Sequence, residues 1–418
     1  MSDDAMGYFD IVITGGGAAG FFAAINAARF SPGSKICIIE KSTKLLAKVR
    51  ISGGGRCNVT HSCFDNRELV KFYPRGGKEL RGAFSRFTTT DTIKWFRERG
   101  VELKTESDGR MFPVTDDSAT IVDCLYSEAE KYKVEILLQS ELISIEKKEE
   151  KFLLEISGGR KISCNKLIIA AGGNAKPAGY EFILSAGHTI IPPVPSLFTF
   201  NIPSDPVREL MGVSVPVATV KIEGTSIKTE GPLLITHWGM SGPAVLKASA
   251  WGARELSERN YHFVARIGWL GEKKEEEISE ELMFSRKNVH AQLVMNSNPF
   301  GIVKRLWQFL VSKAEIPGEA RWADLSNKQI RNLAQLLSAD RYEIKGKTTF
   351  KEEFVTCGGV KLSEVDFKTM ESRKIKGLFF AGEVLDIDGV TGGFNFQSAW
   401  TTGYLAACGA TDYGLSKN

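Results

Sequence analysis

Tyr8-Phe-Asp-Ile-Val-Ile-Thr14 runs into Gly15-Gly-Gly-Ala-Ala-Gly20, then into an alanine-rich stretch and Lys35-Ile-Cys-Ile-Ile-Glu40. An apolar strand that turns sharply into a helix needs Gly15 at the turn. Gly17 has no side chain to keep a pyrophosphate off the backbone, and Gly20 lets the helix pack close to the strand. Ala18 and Ala19 open the helix, whose first N–H groups are unpaired and present partial positive charge to a phosphate. Glu40 falls 20 residues after Gly20, where an acid accepts hydrogen bonds from ribose hydroxyls. Glycine turns alone are common. Strand, helix and acid in this order predict a βαβ dinucleotide cradle over residues 8–45.

The far end of the chain completes it. Gly377-Leu-Phe-Phe-Ala-Gly-Glu383 leads to Thr391-Gly-Gly-Phe-Asn-Phe-Gln397 and a helix of small residues. FAD-dependent enzymes place such a returning strand and helix against the flavin, so the two ends together predict a flavoprotein. Between them, Lys166-Leu-Ile-Ile-Ala-Ala-Gly-Gly173 reads as a fully buried strand whose small final residues, Ala171 and Gly172 among them, let it approach a nucleotide. Before it, short apolar runs at 135–139, 142–146, 152–156 and 161–164 alternate with breaks at 147–151 and 157–160, a hairpin meander.

At 418 residues the chain is too long for one ordinary core. After Gly187 six prolines punctuate alternating segments such as Val217-Ala-Thr-Val-Lys-Ile222, which predicts a β-rich domain. From Gly271 to about residue 340 the chain is polar, with Leu306, Phe309, Leu310 and Leu333, Leu336, Leu337 at helical spacing. The predicted organisation is a discontinuous FAD domain over 1–190 and 354–418, an inserted β-rich domain over 191–270 and 341–353, and a small helical domain over 271–340.

Net charge is +4, small for this length, and predicts neither a nucleic-acid partner nor a membrane surface. Seven scattered cysteines without a CxxC predict a reducing compartment, with no disulfide framework and no zinc site. Met1-Ser-Asp-Asp-Ala-Met6 is too short and acidic for a signal peptide, and the apolar run 18–28 reads as a core helix. A cytoplasmic bacterial protein is the expectation. Its oligomeric state is left open.

Lys48-Val-Arg-Ile-Ser-Gly-Gly-Gly-Arg-Cys-Asn-Val-Thr60 sets three glycines beside Arg50, Arg56, Cys57 and Asn58. Such a row of exposed N–H groups can form an anion nest or admit a planar ring, or be only a flexible loop. With Gly15 to Gly20, Asp108-Gly-Arg-Met-Phe-Pro113, Thr236-His-Trp-Gly-Met-Ser-Gly-Pro243 and Gly377 to Gly403, it makes an ordered set across the whole chain. That set resembles the bacterial NAD(P)/FAD-dependent oxidoreductases of the BaiN/YhiN type, also called aminoacetone-oxidase-like. The resemblance implies an α/β architecture, with a glutathione-reductase-like FAD-binding Rossmann domain, an inserted β-rich domain and a small helical domain. His61 departs from it, since an Asn is expected after Thr60.

The implied cofactor contacts are residue-specific. Gly15, Gly17, Ala18, Ala19 and Gly20 hold the pyrophosphate, Glu40 the adenosine ribose, and Lys41 follows at the adenine edge. Ser52, Gly53, Gly54, Gly55, Arg56, Cys57 and Asn58 lie along the flavin. Gly382 and Glu383 reach the ribityl and phosphate region, and Gly392, Gly393, Phe394 and Asn395 approach the pyrimidine end. Lys48, Leu142, Ala171 and Gly172 complete the set. No second GxGxxG follows the meander, so NAD(P)H is expected only as a transient electron donor.

For catalysis the candidates are His237, a titratable group among turn formers, and Arg56, which could neutralise an anion or simply pair with acids. Cys57 reads as a buried thiol. Three functions stay open: a reductase delivering hydride to an activated C=C or C=O of a small molecule, an amine or aminoketone oxidase using O2, and a non-catalytic or RNA-associated FAD-binding protein.

Overall fold

The computed structural model describes residues 7–348 and 355–414. The chain divides into two compact units, residues 1–195 with 350–418, and residues 196–349. The stretch 1–6 and the expected boundary at Phe354 lie outside the described residues.

In the first unit, β1 (Gly7–Thr14) pairs in parallel with β2 (Ile36–Ile39) on one side and with Arg160–Ile169 on the other. Glu135–Leu137 extends the sheet beyond β2, and Leu378–Phe380 extends it beyond Arg160–Ile169, both in parallel. The register sets Thr14 opposite Ile39 and Ile169, Ile39 opposite Leu137, and Ile169 opposite Phe380. Five strands therefore finish at one edge. Gly15, Glu40, Ala170 and Gly382 all follow directly from that edge, where an open α/β sheet binds its ligands.

The helix α1 (Ala18–Phe30) is apolar all round because it is covered all round, with Ala19 to Ala28 buried. The C-terminal helix Phe394–Thr411 packs against it; a Cβ on Gly403 would lie 2.7 Å from the Ala19 carbonyl oxygen. Buried Asn26 is satisfied, donating to the Phe22 carbonyl at 2.7 Å and accepting from Trp95 Nε1 at 3.1 Å. The apolar stretches 161–164 and 166–173, read as separate, form one strand up to Ile169. Its first half pairs with the hairpin strand Lys151–Ile156, and its second half with Leu378–Phe380. A small antiparallel sheet joins Thr60–His61, Arg110–Pro113 and Leu103–Thr105. The proline-bearing strand Ile190–Ser196 pairs with Val355–Val360 in a two-stranded ribbon, where prolines cost no central ladder bond.

The second unit is a seven-stranded antiparallel sheet running from Asp340–Lys345 through His262–Gly268, Ser214–Ile222, Lys228–Ile235, Gly239–Ser241 and Thr199–Asn201 to Lys347–Thr348. The polar stretch after Gly271 folds into the helices Glu275–Asn288, Lys304–Lys313 and Asn327–Ala339. These share one continuous hydrophobic core with the strands: Leu282, Trp307, Leu310, Leu333 and Leu337 belong to the cluster that holds Val220, Leu233 and Ile267. Burial of those leucines accounts for the three-and-four spacing. Among the described residues no helix is long and apolar enough to cross a membrane.

Candidate functional site

The glycine turn is built against the strand edge. Gly15 has φ +106°, and a Cβ there would collide with the Ala170 carbonyl, so the turn needs glycine. A Cβ on Gly20 would collide with the Gly15 carbonyl. Gly17 is different: no atom lies within 4 Å of its Cβ position, and that open space faces a helix start with no side-chain cap and no acid in its first turn. Uncapped N–H groups beside vacant space are what a pyrophosphate needs. Glu40 Oε2 accepts from Gly16 N at 2.7 Å and Oε1 from Ser42 N at 2.8 Å. Each carboxylate oxygen has a further lone pair, so the acid can hold the turn and still accept a hydroxyl. The cradle thus fits a dinucleotide, and Lys41 is exposed beside it.

Glu383, on the segment after the Leu378–Phe380 strand, receives Lys48 Nζ at 2.6 Å through Oε2 and Thr356 N at 2.9 Å through Oε1. Gly382 N donates to Thr402 Oγ1 at 2.8 Å, which ties this segment to the C-terminal helix. Ala171 is exposed and Gly172 has open space at its Cβ position, while Leu142 is buried opposite Ile156 in the hairpin.

The triple-glycine segment leaves helical geometry at Ser52, and Gly53, Gly54 and Gly55 take φ +59°, +70° and +85°. Nothing lies within 4 Å of a Cβ on Gly54 or Gly55, so this loop has room on its outer side for a flat ring. Cys57 is fully buried, and burial pushes its thiol up to about 12. It offers the site backbone rather than a thiolate. Arg56 is held by Glu106 at 2.6 Å and Asp116 at 3.5 Å, over the Phe112 ring at 4.0 Å. The Glu106 hydrogen bond raises its pKa further. Arg110 shares Glu106 at 2.9 Å. Arg56 therefore cross-links the 52–58 loop to the 106–113 hairpin, and Arg110 braces the shared Glu106 from within that hairpin.

Strand pairing brings two separate sequence motifs together, Thr60 opposite Met111 and His61 opposite Arg110. The first of these is also fastened to the C-terminal helix. Trp400 Nε1 donates to the Val59 carbonyl at 2.9 Å, and Thr60 Oγ1 to Gln397 Oε1 at 2.6 Å. With its amide turned to satisfy both neighbours, Asn58 donates to Thr60 O at 3.0 Å and accepts from Gly393 N at 2.9 Å. His61 stacks on Phe394 with centroids 4.7 Å apart and lies 3.1 Å through Nε2 from the Asp108 carbonyl. Asn395 exchanges two hydrogen bonds with Gly389, at 2.8 and 2.9 Å. The 52–61 and 392–397 segments, more than 330 residues apart in sequence, are thus one surface.

His237 belongs to the second unit. It is exposed with Trp238 on the turn between Lys228–Ile235 and Gly239–Ser241, closed by Thr236 N to Gly239 O at 2.7 Å and Gly239 N to Thr236 O at 3.2 Å. Arg208 Nε donates to the His237 carbonyl at 2.7 Å. Sequence reasoning missed Thr356, Glu106 and Gln397, which carry no motif of their own.

The comparisons decide the family. Residues 9–409 match the family described as HI0933-like protein Rossmann domain. The chain belongs to that family. A relative from Escherichia coli named ribosomal RNA dihydrouridine synthase is 34% identical over 416 residues, covering 96% of this chain and 97% of the relative. Another, from Clostridium scindens, named 3-dehydro-bile acid delta(4,6)-reductase, is 28% identical over 423 residues, covering 96% and 99%. In fold, the chain is similar to a 3-ketosteroid-delta4-(5alpha)-dehydrogenase from Rhodococcus jostii, with a TM-score of 0.52, 12% identity and 97% of each chain covered. As a member of this family the chain is an FAD-dependent oxidoreductase with a Rossmann-type FAD-binding domain.

Proposed function

We propose that this protein reduces a carbon–carbon double bond conjugated to a carbonyl, and that its substrate is a uridine of ribosomal RNA. The observation that carries this reading is a shared reaction. Dihydrouridine is uridine with its C5–C6 double bond saturated beside the C4 carbonyl, and a delta(4,6)-reductase of a 3-dehydro bile acid also saturates a double bond conjugated to a ketone. Both relatives match along almost the whole chain. The uridine is preferred because its relative has the higher identity. This sets aside the expectation, drawn from net charge, that no nucleic acid is bound, and it joins two functions held apart in the sequence reading, reductase and RNA-associated flavoprotein.

Bound FAD supplies two-electron chemistry at the site. We assign Gly15 to Gly20 and Glu40 to holding its pyrophosphate and ribose, Gly382 and Glu383 to the ribityl region, and the Gly53–Gly55 loop with the Gly392–Gly393 turn to the ring. Arg56, engaged by Glu106 and Phe112, is assigned to holding that loop rather than to catalysis. His237, exposed on the turn before Gly239–Ser241, is assigned a titratable role in catalysis. NADH or NADPH is the proposed donor, binding transiently, in a cytoplasmic setting.

The test has two parts. FAD-loaded protein is mixed anaerobically with NADH or NADPH while the flavin absorbance is followed. The enzyme and donor are then incubated with ribosomal RNA from a strain lacking the protein, and dihydrouridine is measured after nuclease digestion. Bleaching followed by new dihydrouridine supports the reading. Bleaching with turnover of a conjugated steroid ketone but not of the RNA would move the substrate to the small-molecule class.

A further inference from the structure

The loop 386–393, which delivers the Gly392–Gly393 turn, is clamped by residues 72–76. Arg75 and Asp388 form an antiparallel bridge and a two-point ion pair, Nε to Oδ1 and Nη2 to Oδ2. Asp388 is fully buried and the Arg75 side chain is 12% exposed. On either side, Val390 N donates to the Phe72 carbonyl at 2.9 Å, and Tyr73 Oη donates to the Phe394 carbonyl at 2.7 Å. The rings of Phe72 and Phe394 stack at 4.3 Å, and a Cβ on Gly389 would lie 2.8 Å from Phe394 Cβ. The loop has little freedom to move sideways.

A buried ion pair is a poor source of net stability, because two desolvated charges roughly cancel their attraction. Its use here is geometric. A planar guanidinium holding a carboxylate at two points fixes both distance and orientation, and what it orients is the start of the C-terminal helix and the Gly393 N–H held from the other side by Asn58. We propose that Arg75 is a positioning residue: through Asp388 it sets the Gly392–Gly393 turn in the place that receives the pyrimidine edge of the flavin. This rests on the assignment of that turn to the flavin ring in the proposed function.

The experiment compares Arg75→Lys, the neutral pair Arg75→Gln with Asp388→Asn, and Asn58→Ala, each as apoprotein titrated with FAD and then as holoprotein by spectroelectrochemistry. Lysine keeps the charge but not the two-point hold. Arg75→Lys is expected to weaken FAD binding about tenfold and to move the flavin midpoint potential and visible band shape, since the site loses a bidentate constraint. The neutral pair, which keeps hydrogen bonding without charge, is expected to recover part of both. Unchanged FAD affinity and potential in both Arg75 variants, with Asn58→Ala altering them, would overturn the clamp and leave the flavin assignment standing. Unchanged values in all three would overturn the assignment of the turn as well. Should Arg75→Lys fail to fold, the neutral pair decides by the same two readouts.

Discussion

Glu40 Oε2 accepts the Gly16 N–H at 2.7 Å, so the acid at the end of β2 also fastens the glycine turn at the end of β1. One residue serves the architecture and the cofactor together. Glu40→Gln keeps an acceptor but loses charge assistance. It is expected to lower stability by about 1–2 kcal/mol and to weaken FAD binding. Urea unfolding of the apoprotein and FAD titration measure the two separately, and an unchanged FAD affinity would remove Glu40 from the ribose site.

Gly17 and Gly20 sit three residues apart and face opposite constraints. A Cβ at Gly17 meets open space, whereas one at Gly20 runs into the Gly15 carbonyl. Gly17→Ala is expected to leave apoprotein stability within about 0.5 kcal/mol while abolishing tight FAD binding. Gly20→Ala is expected to destabilise the apoprotein by about 1–3 kcal/mol through overpacking. Equal effects of the two on apoprotein unfolding would show that Gly17 is there for the fold.

Lys48 and Glu383 pair at 2.6 Å, but the Lys48 side chain is 46% exposed. Solvent screens such a pair, so Lys48→Met is expected to change unfolding free energy by less than about 1 kcal/mol. Glu383→Gln is expected to cost more, because that carboxylate also takes the N–H of Thr356 on a buried strand. A loss on Lys48→Met as large as on Glu383→Gln would mean that the pair, not the backbone bond, organises this segment.

Cys37, Cys57 and Cys164 are all pushed up to about 12 by burial. The folded state keeps these protons through a range in which the unfolded chain, with thiols near 9, has released them. Their contribution to stability is therefore full below about pH 9 and lost as the pH rises toward 12. Thermal unfolding is expected to shift to lower temperature between pH 8.5 and about 11, and native-state alkylation of Cys57 at pH 8 to be slow. Rapid alkylation of Cys57 in folded protein would contradict its burial.

His237→Gln tests the catalytic role proposed for this residue. Turnover is expected to fall by about a hundredfold, with flavin reduction by NAD(P)H and FAD affinity unchanged. A stopped-flow measurement that found both half-reactions intact would make His237 a structural turn residue.

How much of this was legible varies with the range of the interaction. The β1–α1–β2 cradle could be read because glycine spacing, an apolar strand and Glu40 are all local, spread over some forty residues. The meander was read with one break too many, since the polar residues Asn165 and Lys166 interrupt an apolar run that pairing partners on both sides hold as a single strand. The polar stretch after Gly271 showed its helical spacing but not the core it would share with the sheet. Arg56 left a choice between anion binding and ion pairing that depended on where Glu106 would fall.

The sequence by itself determined a dinucleotide cradle and a returning glycine-rich strand and helix, because backbone geometry at glycine and apolar periodicity are properties of neighbouring residues. Only the tertiary structure decided which side chains close the site. The Arg75–Asp388 clamp, the Lys48–Glu383 pair and the Asn58–Gly393 contact join residues that are distant along the chain. Such contacts exist only once the parallel sheet has brought its strand ends to one edge, and nothing in the local order of residues specifies which of many chemically equivalent partners will meet there.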